Sequence, residues 1–117
     1  MKFAIISDVH GNYQALKAVI EDAKRQEVDQ FICLGDMVGY GPNPAECITA
    51  IQELSGPVIR GNHDHDAAGD HDLGHVNETA ELSLKWTREQ LSSAQRQWLG
   101  ELPVSYTHLT LPTILLV

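Results

Sequence analysis

Apolar and polar residues alternate in blocks along the first sixty positions of the chain. Lys2 to Ser7 holds the apolar run Phe3-Ala4-Ile5-Ile6, closed by Ser7-Asp8, and predicts a buried strand. Leu16, Val19, Ile20 and Ala23 recur three and four apart, predicting a helix from about Tyr13 to Gln26 with one core-facing stripe. Asn12 stands where it can cap that helix. Phe31-Ile32-Cys33-Leu34 predicts a second buried strand, ended by Gly35-Asp36 and followed by a glycine-rich loop from Met37 to Pro42. Asn43-Pro44-Ala45-Glu46 announces a helix by a capping Asn, Pro at the first helical position and Glu in capping-box position. That helix carries Ile48, Ile51 and Leu54 and stops near Ser55-Gly56-Pro57, and Val58-Ile59 predicts a third short strand. Strand, helix, strand, helix, strand implies an α/β fold built on right-handed βαβ units and a mainly parallel sheet.

The pattern changes beyond Asp66. Ala67 to Val76 reads as a loop carrying Asp70, His71, Asp72 and His75, followed by a helix with Ala80, Leu84 and Leu91 on one face. Ser92-Ser93-Ala94-Gln95 is a further capping box, opening a short helix through Trp98-Leu99. From Val104 to Val117 there is no charged residue and no coherent periodicity. The first ten residues of this tail resemble the translation of a transposon-based sequencing adapter, although Ile114 to Val117 has strand propensity. The expectation is therefore one domain over residues 1–103, truncated near Pro103, and a non-native tail over 104–117.

Size and charge narrow the partners. A chain of 117 residues supports one core at most. Eight Lys and Arg against 16 Asp and Glu give a formal charge of −8, which disfavours binding to a nucleic-acid backbone. A small phosphorylated substrate remains compatible, because bound divalent cations reverse the local sign. The apolar start, Met1 to Ile6, is too short for a targeting peptide, and no stretch reaches membrane-spanning length. Cys33 and Cys47 lie apart and form no CxxC, so the expectation is a reduced, cytoplasmic chain with two buried thiols.

Each expected strand ends in a polar motif: Asp8-Val9-His10, Gly35-Asp36 and Gly61-Asn62-His63-Asp64. The carboxyl edge of an open α/β sheet is where such proteins place their chemistry. Asp8 and His10, two apart, can grip one cation, and Asp36 on the neighbouring strand can bridge two with its two oxygens. Asn62 offers a neutral oxygen to the second cation, and His63 offers a proton near neutral pH. Mixed oxygen and nitrogen donors suit Mn, Fe, Zn or related ions rather than a thiolate-rich structural zinc site.

These three motifs resemble the opening half of the calcineurin-like metallophosphoesterase family. Ser7-Asp8-Val9-His10-Gly11-Asn12 and Leu34-Gly35-Asp36-Met37-Val38-Gly39-Tyr40-Gly41-Pro42 are similar to its small bacterial phosphodiesterase branch, as are Trp86-Thr87-Arg88-Glu89 and Trp98-Leu99 with Leu102-Pro103. The resemblance implies the N-terminal half of an αββα sandwich and hydrolysis of phosphate esters, of phosphodiester or nucleotide-like kind, at a centre of two divalent metal ions. It implies Asp8 and His10 on the first metal, Asp36 between the two, Asn62 on the second, and His63 as the acid on the leaving oxygen, oriented by Asp64. Family members take further histidine ligands from their second half, including a late Gly-His-x-His, and this sequence has none. The truncated chain is accordingly expected to be impaired or inactive, with an apolar sheet face left uncovered.

Two other readings use the same residues. One is a serine/threonine protein phosphatase on the same site; the other is a binding module that kept the fold and lost the chemistry. His65, His71 and His75 with Asp66, Asp70 and Asp72 fit no helical or strand face, and are expected in a solvated loop near the site mouth. Arg60 is expected to pair with a carboxylate, Tyr40 to pack or to help hold substrate, and Trp86 and Trp98 to serve core or interface.

Overall fold

Residues 1–105 are described by a computed structural model; the expected non-native tail lies outside them from residue 106 onward. Strand β1 (Phe3–Ile6) and strand β2 (Gln30–Cys33) pair in parallel, with Phe3 opposite Gln30 and Ile6 opposite Cys33. Helix α1 (Tyr13–Arg25) makes the crossover between them. Helix α2 (Pro44–Leu54) follows β2, and helices α3 (Asn62–Ala68), α4 (Glu78–Gln90) and α5 (Ser93–Glu101) complete the described chain. No described helix is long and apolar enough to cross a membrane.

Two of the three expected caps form, and Asn77 adds one beyond those expected. Asn12 Oδ1 accepts from the Ala15 amide at 3.0 Å, and Asn77 Oδ1 from Ala80 at 2.8 Å. Ser92 and Gln95 exchange side-chain and backbone bonds, both 3.1 Å, as the capping box requires. The expected cap at Asn43 does not form. Its side-chain amide donates to Glu46 Oε2 at 3.0 Å instead, and its own N–H is bound to the Gly11 carbonyl at 2.9 Å.

The core lies where β2, α2, α4 and α5 meet. Met37, Val38, Cys47, Ile48, Ile51, Ala67, Leu73, Leu84 and Leu99 are buried together there. Each fully buried aliphatic side chain of this kind contributes about 1.5–3 kcal/mol from area removed from water. Cys33 and Cys47 are free and buried. Burial pushes the Cys33 thiol up to about 11, and burial with the neighbouring Glu46 pushes the Cys47 thiol up to about 12. Both remain protonated packing groups at neutral pH. In α1 the expected stripe is narrower than its spacing suggests: Leu16 and Ala23 are buried, but Val19 stays 48% exposed. Ile5 and Leu34 are also exposed, at 57% and 45%, so apolar surface of the sheet region is uncovered among the described residues.

Two elements differ from expectation. The third strand shrinks to one parallel bridge between Cys33 and Val58. Cys33 donates to the Pro57 carbonyl at 2.9 Å and Ile59 donates back to Cys33 at 3.0 Å, but the next amide on that edge, Gly61, is taken by Asp64 Oδ2 at 3.0 Å. Diverting that amide stops the ladder. The second difference is α3, which occupies a stretch that reads as polar loop from its residues. Its buried residues are Asp64, Asp66 and Ala67, so two of the three inward positions are carboxylates.

Candidate metal centre

The loops that follow β1 and β2 run side by side. The ladder continues past the strands through Leu34 to the Ile6 carbonyl at 2.8 Å and Asp8 to the Gly35 carbonyl at 3.1 Å. His10 and Gly11 then donate to the Asp36 and Met37 carbonyls at 2.9 and 2.8 Å. This keeps Asp8-Val9-His10 against Gly35-Asp36-Met37. The backbone at Asp8, His10 and Asp36 is left-handed, with φ of 57°, 47° and 56°. For residues other than Gly such a conformation costs free energy and persists only when its surroundings enforce it, which is characteristic of functional loops.

Gly35 and Gly61 bring the second loop against α3. Gly35 has φ of 99°, and a side chain there would meet the Gly61 backbone nitrogen at 2.5 Å. A Cβ on Gly61 would overlap the Asp36 backbone nitrogen and Oδ1. Only glycines permit this approach.

Asp64 locks the junction. It is fully buried, and its oxygens accept from three amides: Asp36 at 2.8 Å, Met37 at 2.9 Å and Gly61 at 3.0 Å. Burial pushes its carboxyl above the ordinary range; the three amide donors pull it down, and the Asp36 carboxylate nearby adds to the rise. These bonds differ from the role implied by resemblance. His63 Nδ1 is buried without a hydrogen-bond partner, so Asp64 does not hold that ring nitrogen. Asp64 instead fixes the loop bearing Asp36 onto the helix bearing His63.

The side chains converge as follows. His10 Nδ1 lies 3.0 Å from the Val38 carbonyl, which can only accept, so Nδ1 carries a proton and, in the neutral ring, the lone pair is on Nε2. His10 Nε2 is 3.5 Å from Asp8 Oδ1, and Asp8 Oδ2 accepts from Ser7 Oγ at 2.7 Å. Asp36 Oδ1 accepts from the His63 amide at 3.0 Å and stands 3.9 Å from His63 Nδ1. One donor atom each from His10, Asp36 and His63 lie within 4.8 Å of one another. The His10 and His63 ring centroids are 4.9 Å apart, and Tyr40 sits edge-on to both, at 5.3 and 5.1 Å. Asn62, the first residue of α3, is exposed. The structure thus brings His10, Asp36 and His63 to one place, with Asp8 exposed beside His10 and Asn62 one residue away from His63 in the chain. This donor set, with an unpartnered buried imidazole nitrogen, fits a divalent cation of the Mn, Fe or Zn kind.

The histidines beyond His63 depart from the expected solvated loop. Asp66 is 3% exposed, and its Oδ1 and Oδ2 meet His71 Nε2 at 2.8 Å and His75 Nε2 at 3.1 Å. The carboxylate lies on α3, and its partners return from the following loop, so linear spacing hides the group. Arg60 also departs: its guanidinium donates to the Gly100 carbonyl at 2.8 Å rather than to a carboxylate.

Left-handed loops at the ends of parallel strands gather carboxylate and imidazole donors that could hold a metal ion, on an α/β scaffold. The chain belongs to the calcineurin-like phosphoesterase family, which it matches over residues 1–114. It is 38% identical over 101 residues to an uncharacterized protein of Methanocaldococcus jannaschii, covering 86% of this chain and 42% of that one. Its structure is similar to a metallophosphoesterase from Sphaerobacter thermophilus, with a TM-score of 0.73, 43% identity, and 88% of this chain against 41% of that one. Over 63 residues it is 38% identical to a symmetrical bis(5'-nucleosyl)-tetraphosphatase of Psychromonas ingrahamii, covering 51% of this chain and 23% of that one. The chain therefore spans about two fifths of the length of the first two relatives. Its α/β architecture, among the described residues a two-stranded parallel sheet with five helices, corresponds to the N-terminal part of such phosphoesterases.

Proposed function

We propose that this chain carries the strand-end half of a centre that hydrolyses phosphate esters, with a small phosphodiester or nucleotide-like substrate. The observation that carries the reading is the convergence of His10, Asp36 and His63 donors within 4.8 Å on enforced left-handed loops. The name of the tetraphosphatase relative supports the nucleotide-like substrate. Asp8 and His10 would hold one divalent cation, Asp36 both, and Asn62 the second. When bound, such a pair lowers the pKa of a shared water and neutralises charge on the phosphoryl group.

The chain's own residues do the rest. Asp64, saturated by amides, keeps Asp36 and His63 in fixed relation, so no reorganisation is needed as charge develops. The Val38 carbonyl holds His10 in the tautomer that leaves Nε2 free. His63 supplies a proton to the departing oxygen. Tyr40, half-exposed beside both rings, borders the place where substrate enters. The cytoplasm is the compartment proposed, in keeping with two free thiols. The domain is read as residues 1–103, and impaired turnover by this chain is part of the proposal.

The test is a panel of a nitrophenyl diester, a nitrophenyl monoester, a dinucleoside tetraphosphate and a phosphoserine peptide, each with and without Mn. The reading expects weak, Mn-dependent hydrolysis of the diester or dinucleotide, lost in Asp36→Asn and His63→Ala. Preference for the phosphopeptide favours a protein phosphatase, and nucleotide binding with no turnover on any substrate favours a binding module. Rapid turnover by the chain would contradict its proposed impairment.

A further inference from the structure

A second group of donors lies outside the strand-end centre. It is built on the Asp66 carboxylate, which is buried while its partners are open: the His71 and His75 side chains keep 38% and 54% exposure. His71 and His75 approach opposite oxygens of that carboxylate, at 2.8 and 3.1 Å. The His65 ring stacks on His71 at 5.0 Å between centroids, and His71 on His75 at 6.2 Å. One donor atom each from His65, Asp66 and His71 lie within 4.8 Å of one another. Hydrogen bonding alone explains the two imidazoles on Asp66, but not the third imidazole brought to the same point.

The surroundings hold this group in place. Arg88 donates to the Asp66 carbonyl at 2.9 and 2.8 Å and to the His71 carbonyl at 3.1 Å. Arg96 binds the Ala67 and Gly69 carbonyls at 3.2 and 2.7 Å and the Asp70 carboxylate at 2.7 Å. Leu73, between the two loop histidines, is buried in the core. Both arginines are thus committed to main-chain carbonyls and to Asp70, leaving the Asp66 carboxylate to the imidazoles. A carboxylate fixed from behind, with imidazoles reaching it from the solvent side, is an arrangement an ion can enter without unfolding anything.

We infer that His65, Asp66 and His71 form a binding site for a zinc-class divalent cation, separate from the strand-end centre, with His75 steadying the other oxygen of Asp66. Two imidazole nitrogens with one carboxylate oxygen are zinc donors, and three protein ligands leave the fourth tetrahedral position to solvent. On binding, the Nε2 proton that His71 shares with Asp66 relocates to Nδ1 and the freed lone pair turns to the ion. The consequence is mechanical. Helix α3 has seven residues, too few to be stable alone, and it carries Asn62 and His63 at its other end. A cation tying α3 to the following loop stiffens the element that presents them. This inference does not depend on the proposed reaction.

Zinc and cobalt titrations of the purified chain carrying Asp36→Asn, which disables the strand-end centre, test it. The expected result is uptake of about one zinc equivalent and an intense visible cobalt band of tetrahedral type. Both are lost when His71→Gln and His75→Gln are added, and zinc raises the melting temperature only while those histidines are present. Should Asp36→Asn fail to fold by far-ultraviolet circular dichroism, the unsubstituted chain is compared with His71→Gln/His75→Gln, which is expected to bind one equivalent fewer. Zinc uptake and melting temperature unchanged by the double histidine substitution overturn the inference, as does absence of a cobalt band in the folded chain.

Discussion

The strand-end loops and helix α3 face each other across Asp36 and Asp64, yet they are built on opposite principles. In the loops, chemistry is held by backbone: Asp8, His10 and Asp36 sit at positive φ, locked by main-chain bonds between the two loops. In α3 the backbone is ordinary helix and the side chains do the holding. Its inward residues are carboxylates, one saturated by amides and the other by imidazoles, and its last carbonyls are taken by Arg88 and Arg96. A polar helix can therefore be a buried element, provided every buried charge has its partners.

Removing Asp64 is the severest way to break the contrast. Asp64→Ala leaves three amides without their acceptor, and a loss of about 3 kcal/mol or more is expected in urea denaturation. Asp64→Asn, which keeps one good acceptor oxygen, is expected to lose less. A loss under about 1 kcal/mol for the alanine variant would mean that the loop and helix stand without their clamp.

Next in size is Gly61→Ala, where a methyl group must displace the Asp36 loop. The expected cost is about 2 kcal/mol, together with a fall in Mn affinity that a purely structural strain elsewhere would not produce. A variant bound as tightly as the parent would show that the Asp36 position is not critical. Asn77→Ala removes the α4 cap, remote from the strand-end loops, and serves as the control: about 1 kcal/mol of stability and no change in Mn binding.

The smallest effect concerns pH. Burial alone would raise the Asp66 carboxyl, but the hydrogen bonds and nearby charge of His71 and His75 hold it below its ordinary value of 3.8. The folded state therefore takes up its proton less readily than the unfolded chain. The contribution is complete above the ordinary value and is lost as pH falls through the lowered one. Asp66→Asn is expected to flatten the acid limb of stability against pH, measured by thermal melts between neutrality and about pH 3. An unchanged acid limb would assign the loss to other carboxylates.

What the sequence disclosed follows the same division. Asp8, His10, Asp36 and the Gly61-Asn62-His63-Asp64 run announce themselves because each follows an apolar strand, and strands are visible as apolar runs. Residues 62–68 hide their helix because periodicity detects apolar stripes, and here Asp64 and Asp66 occupy inward positions. The same blindness covers the Asp66 group, whose members belong to two elements. The third strand is shorter than its composition implies for another reason: Val58-Ile59 has the composition of a strand, but the Gly61 amide that would extend the ladder is claimed by the Asp64 side chain. Asn43 likewise had the right type and spacing for a cap, and lost that role to its own Glu46.

The central claim is that the strand-end loops and the start of α3 form one divalent-cation centre. Mn binding to the purified chain, followed by electron paramagnetic resonance with and without Asp36→Asn, tests it most directly. The account expects saturable Mn binding that Asp36→Asn abolishes in a chain that still folds, while His71→Gln/His75→Gln leaves it in place. Mn binding unaltered by Asp36→Asn, or none in the folded parent chain, would contradict it.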